Sequence, residues 1–250
     1  MSKPTLEIPI DGLAAARFSA PKADRLEVCV DLASEGWTPS RELLQSVVDA
    51  VADQATEVVS LIRPQLTGEP VGLEAEHFLA SPAILDASLE AIDDAARAGA
   101  NAVAVGLLTP DGAIDVDACR ILRESARQEG LKASFLRMFD LVHDRAEAIE
   151  QLTCLGFRRI LTAGVHVWDP TGTEITDRVG LLQADVAAAR ESGKRHGVEP
   201  IEIVACGGVR SGNARDFLQA TDHLHSSCRV SGIMDAEELQ KLHTIINQEA

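Results

Sequence analysis

The chain has 250 residues, 46% of them hydrophobic and 25% charged, with a formal net charge of −16. That balance allows a core the size of one α/β barrel and disfavours a nucleic-acid partner, whose phosphates require basic patches. With 3% aromatic residues and no tyrosine, platforms for stacked bases are scarce as well. No apolar run approaches the roughly 18 residues of a membrane span, and no basic-flanked apolar leader opens the chain, so the expectation is a cytoplasmic protein without a membrane partner. Five cysteines, odd in number and without a Cys-x-x-Cys pair, fit reduced thiols better than a disulfide framework.

Short apolar runs alternate with amphipathic stripes along the whole length. Strands are expected at Leu6–Ile10, Arg25–Val30, Val58–Arg63 and Ala102–Leu108, then at Lys132–Phe139, Arg159–Gly164, Ile201–Ala205 and His223–Ser227. Between them run helical stripes such as Leu43, Leu44, Val47, Val48 and Val51, or Val179, Leu182, Val186 and Ala189. Eight βα units without an internal boundary predict one domain over residues 1–250, a closed (β/α)8 TIM barrel of the α/β class. A doubly wound open sheet is the alternative, but its usual glycine-rich first turn is missing, because Ile10 to Leu13 holds one glycine. The stretch from Pro64 to Pro82 exceeds an ordinary βα loop and is a candidate lid, with Pro170–Thr176 a shorter one.

In such a barrel the carboxyl ends of the strands hold the chemistry. Glu7 lies on the first strand, and Glu27 and Cys29 share one face of the second. Arg63 ends the third strand, Arg137 and Asp140 the fifth, and Thr162 the sixth. Two glutamates and two arginines on central strands are costly to bury alone, so they are expected to compensate one another at the mouth. The run Ile201–Asn213 ends its strand in Gly207 and Gly208, where no side chain blocks a ligand from the backbone, and Ser211 or Asn213 is placed to cap a following helix. Ser226 and Ser227 on the eighth strand add hydroxyl donors. These features suit a small phosphorylated or carboxylated ligand, with Glu7, Glu27 or Asp140 as a candidate general base and isomerase or lyase chemistry as the reaction class.

Several short motifs sit together at these strand ends: Leu6–Ile8, Ala23–Cys29, Glu35–Ser40, Ile62–Pro64, Asp111 with Gly112, Phe135 with Arg137, Phe139 with Asp140, Leu161 with Thr162, Gly208 with Val209, and His225–Ser227. In this order they resemble the CutC family, named for copper homeostasis. The resemblance implies a single-domain (β/α)8 barrel, typically a homo-oligomer with a dimer favoured, a polar pocket at the carboxyl face, and copper binding in some members. It singles out His225 as the histidine able to bind metal or move a proton. Three departures mark a divergent member, one of them a segment after the eighth strand that is expected to reach the last helix within a few residues. Gln65 to Pro70 replaces the family's Arg-Gly-Gly-Asp-Phe, and Leu136 stands where the family has histidine.

Cu(I) prefers two or three soft ligands. Cys29 matches the family cysteine, and Cys206 and Cys228 also fall near strand ends, so Cys29 and Cys206 are the candidate copper ligands. Cys228 and His225 are an odd number apart and cannot both face inward on a regular strand. Cys119 and Cys154 fall in helical stripes and are read as packing residues. No Cys or His cluster shows zinc-ligand spacing. His143 and His166 read as surface or structural, and His77 reaches the mouth only if its loop folds over.

Overall fold

The computed structural model describes residues 3–67 and 72–248. Gly68 and Pro70 of the candidate lid lie outside the described residues. Eight parallel strands close into a barrel in chain order: β1 (Thr5–Ile10), β2 (Arg25–Val28), β3 (Glu57–Leu61), β4 (Ala102–Val105), β5 (Lys132–Phe135), β6 (Arg159–Thr162), β7 (Glu202–Ala205) and β8 (His223–His225), which pairs back with β1. Around it lie α1 (Leu13–Ser19), α2 (Arg41–Ala50), α3 (Pro82–Arg97), α4 (Val116–Gln128), α5 (Arg145–Leu155), α6 (Ile175–His196), α7 (Ala214–Phe217) and α8 (Ala236–Gln248). A two-stranded ribbon, β9 (Arg229–Val230) with β10 (Ile233–Met234), separates β8 from α8. No helix among the described residues is long and apolar enough to cross a membrane.

Helix ends follow the sequence chemistry. Ser40, Ser81, Asp115 and Asp144 each accept a first-turn backbone N–H at the start of α2, α3, α4 and α5. Gly156 and Gly197 close α5 and α6 with φ of +81° and +65°, which a side chain would make costly.

The outward faces of the strands make the apolar core. Leu6, Ile8, Ile10, Leu26 and Val28 join Leu44, Val47, Ile92, Leu122, Leu152, Leu182 and Leu242 of the helices in one buried cluster. The alternation that turns these outward turns Glu7, Arg25, Glu27 and Arg159 inward. Parallel register then sets them side by side: Glu7 faces Arg25 across β1–β2 and His225 across β1–β8, while Arg159 faces Glu202 across β6–β7. The barrel is thus lined with charge where aliphatic layers are usual.

Six of the expected strands end two to four residues early, the fifth most of all. The fifth strand stops at Phe135, and Arg137–Leu141 winds into a 3-10 turn. Its Asp140 is pulled inward, where its carboxylate accepts from Thr162 Oγ1 and the Ala163 N–H. The helix after Gly208 is only four residues long. Asn213 precedes it but makes no side-chain cap, its Oδ1 accepting instead from the Arg210 N–H. Ser211 spends its N–H and hydroxyl on Glu238. The expected capped helix N-terminus is therefore absent from the ligand side of this turn.

Candidate functional site

Glu7 forms the floor of the site. Its Oε2 accepts from Arg25 Nε at 2.6 Å and from Arg159 Nη1 at 3.2 Å, all three side chains being buried. Arg25 also donates to Glu57, which pairs with Lys132, and Arg159 donates to Glu202. Burial alone would raise the Glu7 carboxyl, but the charges of Arg25, His225 and Arg159 outweigh it and hold the pKa down at about 2. The expected compensation among Glu7, Glu27, Arg63 and Arg137 is thus replaced by another. Glu7 is neutralised from below by Arg25 and Arg159, the first residues of β2 and β6.

One layer higher, His225 Nε2 lies 3.1 Å from Glu27 Oε2 and 3.9 Å from Glu7 Oε1. Burial works against a charged imidazole here. The hydrogen bond to Glu27 and the negative charges of Glu27 and Glu7 win, so the His225 pKa lies above its ordinary value. The second oxygen of Glu27, Oε1, is buried without a hydrogen-bond partner among the described residues.

Above this pair opens a cavity of about 660 Å³ at the carboxyl ends of the strands. Arg63, Arg137, Arg210 and Arg229 line it, as do Gly207, Gly208, Ser226 and Ser227. Gly207 has φ +66°, and a Cβ there would meet Ala163 Cβ at 2.7 Å, so only glycine fits. Arg210 donates to the Val209 carbonyl at 2.9 Å and reaches the Ser226 and Ser227 hydroxyls at 3.4 and 3.5 Å. Arg63 lies over the Trp37 ring at 4.1 Å and donates to the Gly72 carbonyl at 2.9 Å. Neither Arg63 nor Arg210 has a carboxylate partner among the described residues. Arg229 pairs with Asp11 at 2.7 Å, and Arg137 with Asp140 at 3.2 Å and the Trp168 carbonyl.

The two candidate lid loops meet over this mouth. Phe78 from the first stacks on Trp168, just ahead of the second, with ring centroids 5.5 Å apart, and both rings line the cavity. His77 pairs with Glu74 instead of pointing into the cavity. Leu136 lines the mouth where the resemblance called for histidine.

Asp140 and Thr162 are fully buried beside the cavity. Thr162 Oγ1 donates to Asp140 and accepts from Arg145, which is itself held by Asp185 at 2.6 Å. Their contacts position Arg137 and the β6 end, and neither lines the cavity. Cys29 and Cys206 do line it. Both are buried, Cys29 Sγ donating to the Ile10 carbonyl at 3.6 Å, and burial pushes both thiols well above the usual range. Cys228 is buried in a left-handed turn with φ +47°, its thiol raised to about 11. Sequence reasoning missed Arg210, Arg229 and Trp168. Arg210 and Trp168 sit in loops and Arg229 opens the two-residue ribbon strand β9, where periodicity carries no signal and only a polar or aromatic residue just beyond a barrel strand offers a hint.

Comparison with known proteins agrees with this geometry. The CutC family model matches residues 5–230. The chain belongs to the CutC family. A family protein CutC from Vibrio atlanticus is 33% identical over 217 residues, covering 86% of this chain and 77% of that protein. One from Caulobacter vibrioides is 34% identical over 219 residues, with the same coverage. The crystal structure of the putative copper homeostasis protein CutC from Streptococcus agalactiae superposes with a TM-score of 0.74 at 26% identity, covering 90% of this chain and 98% of that one.

Within this CutC barrel, Glu7→Gln leaves two buried guanidiniums facing a neutral amide. The substitution is expected to lower the unfolding free energy at pH 7 by about 3–5 kcal/mol, as read by urea denaturation. Because the Glu7 pKa is depressed, its contribution is present above the ordinary carboxylate value of 4.5 and is lost as pH falls towards about 2. The gap between wild type and variant therefore narrows in acid. A loss below about 1 kcal/mol would mean that Glu57 and Glu202 alone neutralise the arginines.

Proposed function

We propose that the protein binds a small carboxylated or phosphorylated metabolite in the barrel mouth, and that His225 exchanges a proton with it. The observation that carries this reading is the pair Arg63 and Arg210, guanidiniums that line the cavity above His225 with no carboxylate partner among the described residues. In a chain of net charge −16, such charges are available to an incoming anion. Ser227 and the open backbone at Gly208 add a neutral donor and space beside them, while Ser226 donates its hydroxyl proton to the Val209 carbonyl at 2.7 Å. His225, its pKa raised by the hydrogen bond to Glu27 and the charges of Glu27 and Glu7, is placed to supply a proton to a developing negative charge and to take one back from a neighbouring carbon or oxygen. Isomerisation and elimination are the reaction classes that need only these steps.

Trp37 and Trp168 are the chain's two tryptophans, and tyrosine is absent, so indole emission reports from Trp168 on the cavity wall and from Trp37, which stacks on the cavity-lining Arg63. Titration with inorganic phosphate or small carboxylates at pH 6 is expected to change that emission saturably. Arg210→Gln is expected to weaken binding about tenfold or more, the worth of one charge-assisted hydrogen bond. Binding should also weaken as pH rises through the elevated His225 value, because the imidazolium is lost there. A saturable signal indifferent to both changes would place the anion elsewhere.

Copper is the second reading. It is favoured by Cys29 and Cys206 lining one cavity and by the name of the streptococcal relative. The donor set fits Cu(I) poorly. Both thiols are held protonated by burial, and among the described residues neither belongs to a group of three convergent ligands. A Cu(I) titration of reduced protein against a chromophoric competitor is expected to show weak binding, equal in wild type and Cys29→Ser. Tight stoichiometric binding that weakens in Cys29→Ser would reverse the order of the two readings.

A further inference from the structure

A second set of metal-type donors lies at the opposite end of the molecule. Glu150 and Cys154 are four residues apart on α5 and so share one helix face. His196, the last residue of α6, reaches across to them. Its Nε2 lies 3.4 Å from Cys154 Sγ and 2.5 Å from Glu150 Oε1. Sequence reading assigned Cys154 to packing. The structure corrects this: the residue is exposed, unlike Cys119, which is fully buried. The 42 residues between Cys154 and His196 hid the cluster from any ligand-spacing rule.

We propose that Glu150, Cys154 and His196 bind a divalent cation of the zinc class at the α5–α6 seam, with solvent as the fourth ligand. The donors are one thiol, one imidazole and one carboxylate, a mixture that suits borderline zinc-like ions. Calcium and magnesium would require several oxygens. Ligand atoms around a tetrahedral zinc ion sit about 3.3–3.6 Å apart, given bonds of about 2.0–2.3 Å. The sulfur–nitrogen distance already matches. The carboxylate has to withdraw by about 1 Å, which a side chain at the surface can do by rotation.

The setting also favours a cation. Both helices end here, α5 at Leu155 and α6 at His196, so the partly negative ends of two helix dipoles meet at the seam. Arg195, which lies 3.2 Å from Glu150, is the one competing charge, and it has Glu191 at 3.5 Å as an alternative partner. The seam faces the amino ends of β6 and β7, away from the mouth, so this proposal does not depend on the anion reading.

The test is Co²⁺ titration of the reduced full-length protein. One equivalent is expected to produce a thiolate-to-cobalt charge-transfer band together with tetrahedral visible bands, both abolished by added Zn²⁺. Cys154→Ser should remove the charge-transfer band, and Glu150→Gln or His196→Asn should weaken binding by about tenfold or more, since losing a ligand costs at least as much as losing its outer support. Cys29→Ser should change nothing. Absence of a thiolate band in wild type, or a band that survives Cys154→Ser, overturns the proposal.

Discussion

The barrel depends on one carboxylate held between two guanidiniums. Glu7 sits on the axis, and its single oxygen Oε2 takes Arg25 from one side and Arg159 from the other. Most barrels of this class fill the same volume with branched aliphatic side chains, whose burial is favourable without any pairing. Here the interior is stable only because each charge finds an opposite one. Arg25 is shared with Glu57, Arg159 with Glu202, and Glu57 with Lys132. Removing Glu7 strands Arg25 and Arg159 in a medium of low polarity, whereas Lys132 and Glu202 at the outer ends of the network reach solvent. Three arginine or lysine charges against three glutamates leave the network balanced, so Glu27 above it has His225 as its counter-charge.

That balance sets the chemistry of the mouth. Burial works against charge on the His225 imidazole, and Glu27 at hydrogen-bond distance with Glu7 beneath raises its pKa in spite of it. The arginines above are arranged differently. Arg137 and Arg229 are tied to carboxylates, whereas Arg63 and Arg210 are held by carbonyls, hydroxyls and aromatic faces. Carbonyls and rings orient a guanidinium without neutralising it. Two arginines are therefore fixed in place without a carboxylate at ion-pair distance among the described residues, although the charge of Glu35 acts on Arg63, above His225 and beside the stacked Phe78 and Trp168.

Much of this was legible in the sequence, for identifiable reasons. Eight apolar runs spaced by helical stripes leave few topologies, and alternation on β1 and β2 put Glu7 and Glu27 inside. The family-like motifs led to His225. The partners of Glu7 were not legible. Arg25 and Arg159 open their strands, and only the register of a closed barrel shows that they reach the same carboxylate. The turn after Gly208 misled for a related reason. Ser211 and Asn213 have helix-capping chemistry, but Glu238 and Arg210 claim them first. Arg210 and Trp168 lie in loops, Arg229 opens a two-residue ribbon strand, and the Cys154–His196 contact joins two helices far apart in sequence; no local pattern encodes any of these.

The measurement that tests the account most directly is the titration of the His225 imidazole by nitrogen-15 NMR, with and without inorganic phosphate, using His225→Asn to assign the signal. The account predicts a pKa above the ordinary 6.5 in the free protein and a further rise when phosphate occupies the mouth, since the anion and the imidazolium stabilise each other. A value at or below 6.5 that phosphate leaves unmoved would contradict it.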